Sequence, residues 1–211
     1  MSLKAWIAAA ALILISSTGY ANVVAGRDFT ALRKPQPTEV VGKVEVIEFI
    51  NFACPGCYQM HRRIMAWAAK LPGNVSFRRV PVVYDGHKGW GPLARAFYAL
   101  EATGDLHRLD TALFDAIHKE RLPLFEERAI TAWMVKHGVD GAKFTAAFNS
   151  FGVNTRISQN DRMLMNYQIT SVPAVVVDGR YSVLGDSYDS MLSNASELIA
   201  RANAGRAAKK S

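Results

Sequence analysis

Residues 44–59 read Val44-Glu45-Val46-Ile47-Glu48-Phe49-Ile50-Asn51-Phe52-Ala53-Cys54-Pro55-Gly56-Cys57-Tyr58-Gln59. Up to Ala53 the stretch is rich in β-branched and aromatic residues, which fit a pleated, half-buried surface. After Cys57 the period changes. Met60, Ile64, Trp67 and Ala68 recur at helical spacing, and Leu71-Pro72-Gly73 closes the run. The stretch predicts a strand, a sharp turn and a helix, with Cys54 at or just before the helix N-terminus. There the helix dipole and the free backbone N–H groups favour a thiolate. Cys54 and Cys57 are the only cysteines in the chain. At this spacing two thiols can close a disulfide within one helical turn, which is what a dithiol redox catalyst needs.

Working outward, Val75 to Tyr84 reads as a second strand, and Pro81 places its end near a sheet edge or a bulge. Strand, helix and strand of this length predict a parallel pair joined by a right-handed crossover. Val44, Val46 and Phe49 form a nearly continuous apolar run, as in a central strand covered on both faces. Glu45 and Glu48 interrupt it. A carboxyl buried in such a run has its pKa raised and can hold a proton near neutral pH; an ordinary salt-bridged acid is the alternative for Glu48. Upstream, Val40 to Ala53 supplies one or two strands broken near Gly42-Lys43. Val23 to Thr38, punctuated by Pro35 and Pro37, reads as an extended surface lead-in.

Downstream the pattern is helical almost throughout: Pro92 to Ala102, Asp105 to Lys119, Phe125 to His137, Gly141 to Phe151, and Ser158 to Tyr167 with Ser158 and Asp161 marking its start. Such a succession amounts to a helical subdomain inserted in an α/β framework. The β signal returns at Pro173 to Val177 and Arg180 to Val183. Asp178-Gly179 between them predicts a tight hairpin with a type I′ turn. Tyr188 to Asn203 is an amphipathic helix, followed by a frayed tail over 204–211. The expected division is a leader at 1–21, the α/β framework at 22–86 and 155–211, and the helical insertion at 87–154.

With 211 residues and 50% hydrophobic composition the chain can bury a substantial core. Lys4, the apolar run Trp6 to Ile15 and the small residues Gly19 and Ala21 predict an export signal cleaved after Ala21. The apolar run is well short of the roughly 20 residues of a spanning helix, which argues against an uncleaved anchor. No cysteine follows it to carry lipid. In an exported protein a disulfide can persist. Lysines and arginines number 25 against 18 acids, a net charge of +7. Arg78-Arg79 and the tail Arg206 to Lys210 are too short to argue for nucleic acid, and the excess reads as a soluble basic surface.

The order strand, Cys-x-x-Cys helix, strand, helical insertion, Val-Pro, hairpin, helix resembles the thioredoxin fold, and with the insertion it is similar to the DsbA family of periplasmic thiol:disulfide oxidoreductases. The resemblance rests on Glu48-Phe49 through Tyr58-Gln59, on Ser171-Val172-Pro173-Ala174, and on Val177-Asp178-Gly179-Arg180-Tyr181. It implies an α/β thioredoxin-like fold and an enzyme that introduces disulfide bonds into unfolded or reduced exported proteins in the periplasm. By it Cys54 is the exposed nucleophile, Cys57 the buried resolving partner, and Glu48 the buried acid relaying a proton to or from Cys57. Pro173 is the cis-proline beside the redox-active Cys54–Cys57 disulfide, presenting the Val172 backbone to an extended substrate; a trans strand-start proline is the alternative. Reoxidation falls to a DsbB-like membrane quinone oxidoreductase. No cofactor is implied.

One departure concerns the residues between the cysteines, Pro55 and Gly56, which tune the site. Family members typically carry histidine where this chain has Gly56, and that histidine helps stabilise the thiolate. Between DsbA near −120 mV and thioredoxin near −270 mV lies roughly 7 kcal/mol of disulfide stability. Glycine offers no side-chain donor or charge, so a weaker oxidant is expected, with a Cys54 pKa above that of a histidine-bearing relative yet below the ~8.5 of a free thiol. A structural staple is poorly motivated, because so short a loop constrains the unfolded chain little. Zinc wants more ligands than the cysteines and His61 supply, with His87, His107, His118 and His137 scattered. A reductase or isomerase of the same fold, or a non-catalytic peptide-binding chaperone, are the alternative functions. Residues Asn22 to Val40 are too few for the dimerisation domain isomerases usually add, so a monomer is expected.

Overall fold

The structure, a computed structural model, describes residues 23–208. The expected export signal with its cleavage at Ala21, and residues 209–211 of the expected tail, lie outside them. The chain forms strands β1 (Phe29–Ala31), β2 (Val44–Ile50), β3 (Val75–Pro81), β4 (Ala174–Val177) and β5 (Tyr181–Val183). The helices are α1 (Pro55–Ala68), α2 (Trp90–Thr103), α3 (Leu106–His118), α4 (Glu127–Lys136), α5 (Gly141–Phe148), α6 (Phe151–Tyr167) and α7 (Tyr188–Ala207). One sheet holds all five strands in the order β1-β5-β4-β2-β3.

β2 lies inside the sheet between β4 and the edge strand β3 and is buried along its whole length. It runs parallel to β3, as the crossover through α1 requires, and antiparallel to β4. Its alternating side chains feed two cores. Val44 and Val46 join Val175, Val177, Met60 and Ile64 of α1, and Leu192, Leu198 and Ile199 of α7. Ile47 and Phe49 join the core of the helices α2 to α6 on the other face. Each fully buried aliphatic contributes about 2 kcal/mol, so α7 is held by its apolar stripe. The fold is therefore the α/β thioredoxin-like sheet with a helical insertion between β3 and β4.

Several expectations are corrected. Residues 23–38 are not only a surface lead-in, because they contain β1, which pairs antiparallel with β5 and buries Phe29. Within 141–167 the break between helices falls at Asn149-Ser150 and not between Phe151 and Ser158. The Ser150 hydroxyl accepts the Val153 N–H and caps α6, which then runs unbroken through position 154. Phe151, read as the end of an apolar stripe, is 85% exposed. The C-terminal helix continues past Asn203 to Ala207, where Arg206 forms an ion pair with Asp178. In the hairpin Asp178 and Gly179 both have positive φ (56° and 60°), and the Arg180 N–H donates to the Val177 carbonyl. The register pairs Val177 with Tyr181, so the loop is one residue longer than a two-residue turn. The Arg180 carbonyl instead accepts the Leu32 N–H next to β1. Gly179 is sterically required as well, because a Cβ there would lie 2.2 Å from the Gln36 carbonyl oxygen.

Candidate active site

The turn between β2 and α1 is fixed by Asn51, a buried polar residue. Its amide donates to the carbonyls of Val82 and Trp90, its Oδ1 accepts the Ala53 N–H, and its carbonyl accepts the Cys54 N–H. His118 Nε2 meets the Phe52 carbonyl at 2.7 Å while its ring stacks on Tyr58. These contacts tie the turn to α3 and to the loop after β3. Cys54 is thereby set at the N-cap of α1 with extended backbone (φ −82°, ψ 116°), and Pro55 opens the first turn, where no N–H is needed. The Cys57 N–H donates to Cys54 Sγ at 3.2 Å.

Cys54 is not the exposed residue that the resemblance implied. Only 5% of it is accessible, against 1% for Cys57. What covers it is the loop before β4. The Val172–Pro173 bond is cis, and the Cys54 thiol donates to the Val172 carbonyl at 3.4 Å. Hydrogen bonding from the Cys57 side chain, joined by the backbone N–H groups of Cys57 and Gly56, holds the Cys54 pKa down at about 7 from 9.0, against the opposing effect of burial. Burial chiefly, then the hydrogen bond to Cys54 and its charge, pushes the Cys57 thiol far up. The two sulfurs thus differ sharply in acidity. Thiolate absorbance followed against pH in the reduced protein should show one transition near pH 7, lost in Cys54→Ser. A first transition at 9 or above would contradict the N-cap argument.

Glu48 is 1% exposed and sits, by strand alternation, on the face of the sheet that α1 covers. Among the described residues its Oε2 has no hydrogen-bond partner. Desolvation raises its pKa from 4.5 to about 8, partly offset by Arg79. Glu45, the other acid of β2, is bonded to Arg78 and to the Glu39 N–H. Gly56 lies under Pro173 and Tyr188. A Cβ on it would meet Pro173 Cδ at 3.0 Å, the Tyr188 hydroxyl at 3.2 Å and Cys54 Sγ at 3.9 Å. The structure therefore brings Cys54, Cys57, Gly56, Val172 and Pro173 together. His61, weighed as a zinc ligand, is buried instead against Thr111 and Asp110.

Residues 45–196 match the model of the DSBA-like thioredoxin domain. The chain belongs to that family. DsbA-like proteins named thiol:disulfide interchange protein DsbA are similar to it over most of its length. That of Burkholderia cepacia is 37% identical over 82% of this chain and 81% of its own. That of Azotobacter vinelandii is 38% identical over 76% and 74%. Among solved structures, Pseudomonas aeruginosa DsbA superposes with a TM-score of 0.82 at 33% identity, covering 90% of this chain and 97% of that one. The oxidoreductase DsbA of Xylella fastidiosa gives 0.81 at 30% identity, with 86% and 98% covered. This DsbA-like chain is accordingly a thiol:disulfide oxidoreductase with disulfide-forming activity.

Sequence reasoning missed Asn51, His118 and Tyr188. Asn51 carried a signal, since it is the polar residue closing an apolar strand directly before the cysteines. His118 and Tyr188 carried none, because only the folded chain brings them to the turn.

Proposed function

We propose that this oxidoreductase introduces disulfide bonds into reduced exported proteins, with Cys54 as the reacting sulfur, Cys57 as the resolving thiol and Glu48 as its proton partner. The observation that carries the reading is the placement of Cys54 Sγ. It accepts the Cys57 N–H at 3.2 Å and lies 3.4 Å from the Val172 carbonyl. It is a stabilised leaving group set beside a backbone edge that an extended chain can pair with.

A substrate thiolate attacks Cys54 Sγ of the disulfide, forming a mixed disulfide and expelling Cys57 as a thiolate. Cys57 is strongly disfavoured as an anion, so it takes a proton, for which the neutral Glu48 carboxyl is the source. A second substrate thiolate then attacks the substrate-side sulfur. The substrate leaves oxidised by two electrons, and Cys54 leaves as the thiolate that the helix start stabilises. Thiols donate to carbonyls and thiolates do not, so ionisation of Cys54 frees the Val172 carbonyl for a substrate N–H. Turnover then needs an acceptor for two electrons, a role that fits a DsbB-like quinone oxidoreductase in the membrane, with the chain working in the periplasm after removal of its leader near Ala21. In the proposed division the site belongs to the framework, 22–86 and 155–211, and not to the insertion at 87–154, since it lies where the sheet, α1 and the loop before β4 meet.

Two measurements test it. Cys57→Ser should trap a mixed disulfide when its Cys54 thiolate attacks a substrate peptide that carries a disulfide, the peptide's other sulfur leaving as a thiolate, and Cys54→Ser should trap none. A peptide that binds Cys54→Ser as tightly as the native protein while neither protein oxidises it would favour a chaperone. The equilibrium constant with glutathione sets the direction. An oxidising value, well above the thioredoxin range near −270 mV, is expected, and a thioredoxin-like value would make the protein a reductase.

A further inference from the structure

Glu48 and Arg79 are register partners on the parallel strands β2 and β3, so their side chains leave the same face of the sheet. A buried carboxylate beside a buried guanidinium would ordinarily form an ion pair. Here it does not. Arg79 instead forks onto Asp110 of α3, with Nη1 3.0 Å from Oδ1 and Nη2 2.7 Å from Oδ2, and both side chains are buried. The Arg79 guanidinium also lies over the Phe97 ring at 5.2 Å. His61 Nε2 approaches Asp110 at 3.5 Å and Thr111 at 2.9 Å. Asp110 is thus fully engaged, while among the described residues Glu48 Oε2 has no hydrogen-bond partner.

We infer that Asp110 is a positioning residue for the thiol chemistry: by holding the Arg79 guanidinium in a buried fork it keeps that cation from pairing with Glu48, the proton partner of Cys57. This rests on the reading of Glu48 as the proton partner of Cys57. The charged and titratable groups acting on Glu48 are Arg79 from β3, Asp110 from α3, and Cys54 and Cys57 at the start of α1; His61 of α1 faces Asp110. Arg79 lowers the Glu48 pKa and Asp110, a smaller influence, raises it, so the fork offsets part of what the cation does to Glu48. If Arg79 were released, an opposite charge at ion-pair distance would move a carboxyl down by about 1–3 pH units.

The test reads Glu48 directly, from its carboxyl infrared band in the reduced protein, isolated by difference against Glu48→Gln. Asp110→Asn keeps the size of the side chain and should lower the titration midpoint by at least about one pH unit. The double variant Arg79→Gln/Asp110→Asn removes the pair together and should return the midpoint to the native one or above it, because Arg79 is the larger of the two influences. An unmoved midpoint in folded Asp110→Asn overturns the inference. So does a double variant with a midpoint clearly below the native one, which would mean that a group other than Arg79 lowers it. Should Asp110→Asn not fold, the double variant decides alone. The pH profile of Cys57 release, as a substrate thiolate opens the Cys54–Cys57 disulfide, separates the two readings. If Glu48→Gln leaves that profile unchanged, Glu48 is not the proton partner, whatever the infrared midpoints show about Asp110.

Discussion

Glu48→Gln is expected to gain about 3 kcal/mol of stability over the native protein, in the reduced form, as the pH is raised from 4.5 to 7. In the folded dithiol protein desolvation holds the Glu48 proton up to about pH 8, while the ordinary carboxyl loses it at 4.5. Between those values the native state binds a proton that the unfolded chain has released. Native stability therefore falls as pH rises through this window, by up to 1.36 kcal/mol per pH unit. Below pH 4.5 both states hold the proton and the penalty vanishes. By pH 7 the pH has climbed roughly two and a half units into the window, giving about 3 kcal/mol. Glutamine has nearly the same volume and no proton to lose. Burying its amide carries its own cost, about 1–3 kcal/mol if a donor is left unmatched, but that cost does not vary with pH. The slope of the difference is therefore the readout. Urea unfolding of both reduced proteins at pH 4.5, 6 and 7 would show it, and parallel stability profiles would mean that Glu48 is already ionised in the native state. The same variant should slow the release of Cys57, since the expelled thiolate loses its proton source.

Such a site was legible in part because its chemistry is written in single residue types. Two cysteines at a strand-to-helix change of period, and a Val-Pro pair before a returning strand, each announce themselves locally. The hairpin was legible for the same reason, since Asp178 and Gly179 tolerate positive φ where most residues do not. β1 was not legible. Three residues carry too little alternation, and they become a strand only by pairing with β5. The start of α6 was misplaced because Gly152 and Asn154 blur the helical stripe, while the cap that fixes it is one hydroxyl on Ser150. Around the cysteines the illegible residues are those joined through space. Tyr58 stacks on His118, Arg79 forks onto Asp110, and Tyr188 covers Gly56, and no local pattern in the sequence links the partners. The burial of Cys54 under Val172 belongs with them.

The cover over Gly56 decides how the missing histidine would behave if restored. Gly56→His should lower the Cys54 pKa below about 7 and make the protein more oxidising. An imidazolium about 6 Å from Sγ, at an effective dielectric near 20, is worth about 3 kcal/mol. That is about two pKa units, or about 60 mV for this two-electron couple. The native backbone resists the change, because any β-carbon at position 56 presses on Pro173 Cδ and on the Tyr188 hydroxyl. Pro173 is held by its ring and by the strand it opens, whereas the Tyr188 hydroxyl is the far end of a side chain at the first turn of α7. Tyr188 is thus the group that must yield. Burial, then the charges of Cys54 and Cys57, push its phenol pKa up, as expected for a hydroxyl close to the sulfurs. Gly56→His should therefore act weakly with Tyr188 present and reach its full shift when combined with Tyr188→Ala. Tyr188→Ala by itself should move the potential little. Contacting residues couple in this non-additive way, and a double-mutant cycle on the Cys54 titration and on the glutathione equilibrium measures it. Equal shifts from Gly56→His with and without Tyr188 would show that Tyr188 does not gate position 56. No shift in either background would show that the helix start and the backbone N–H groups alone set the acidity of Cys54.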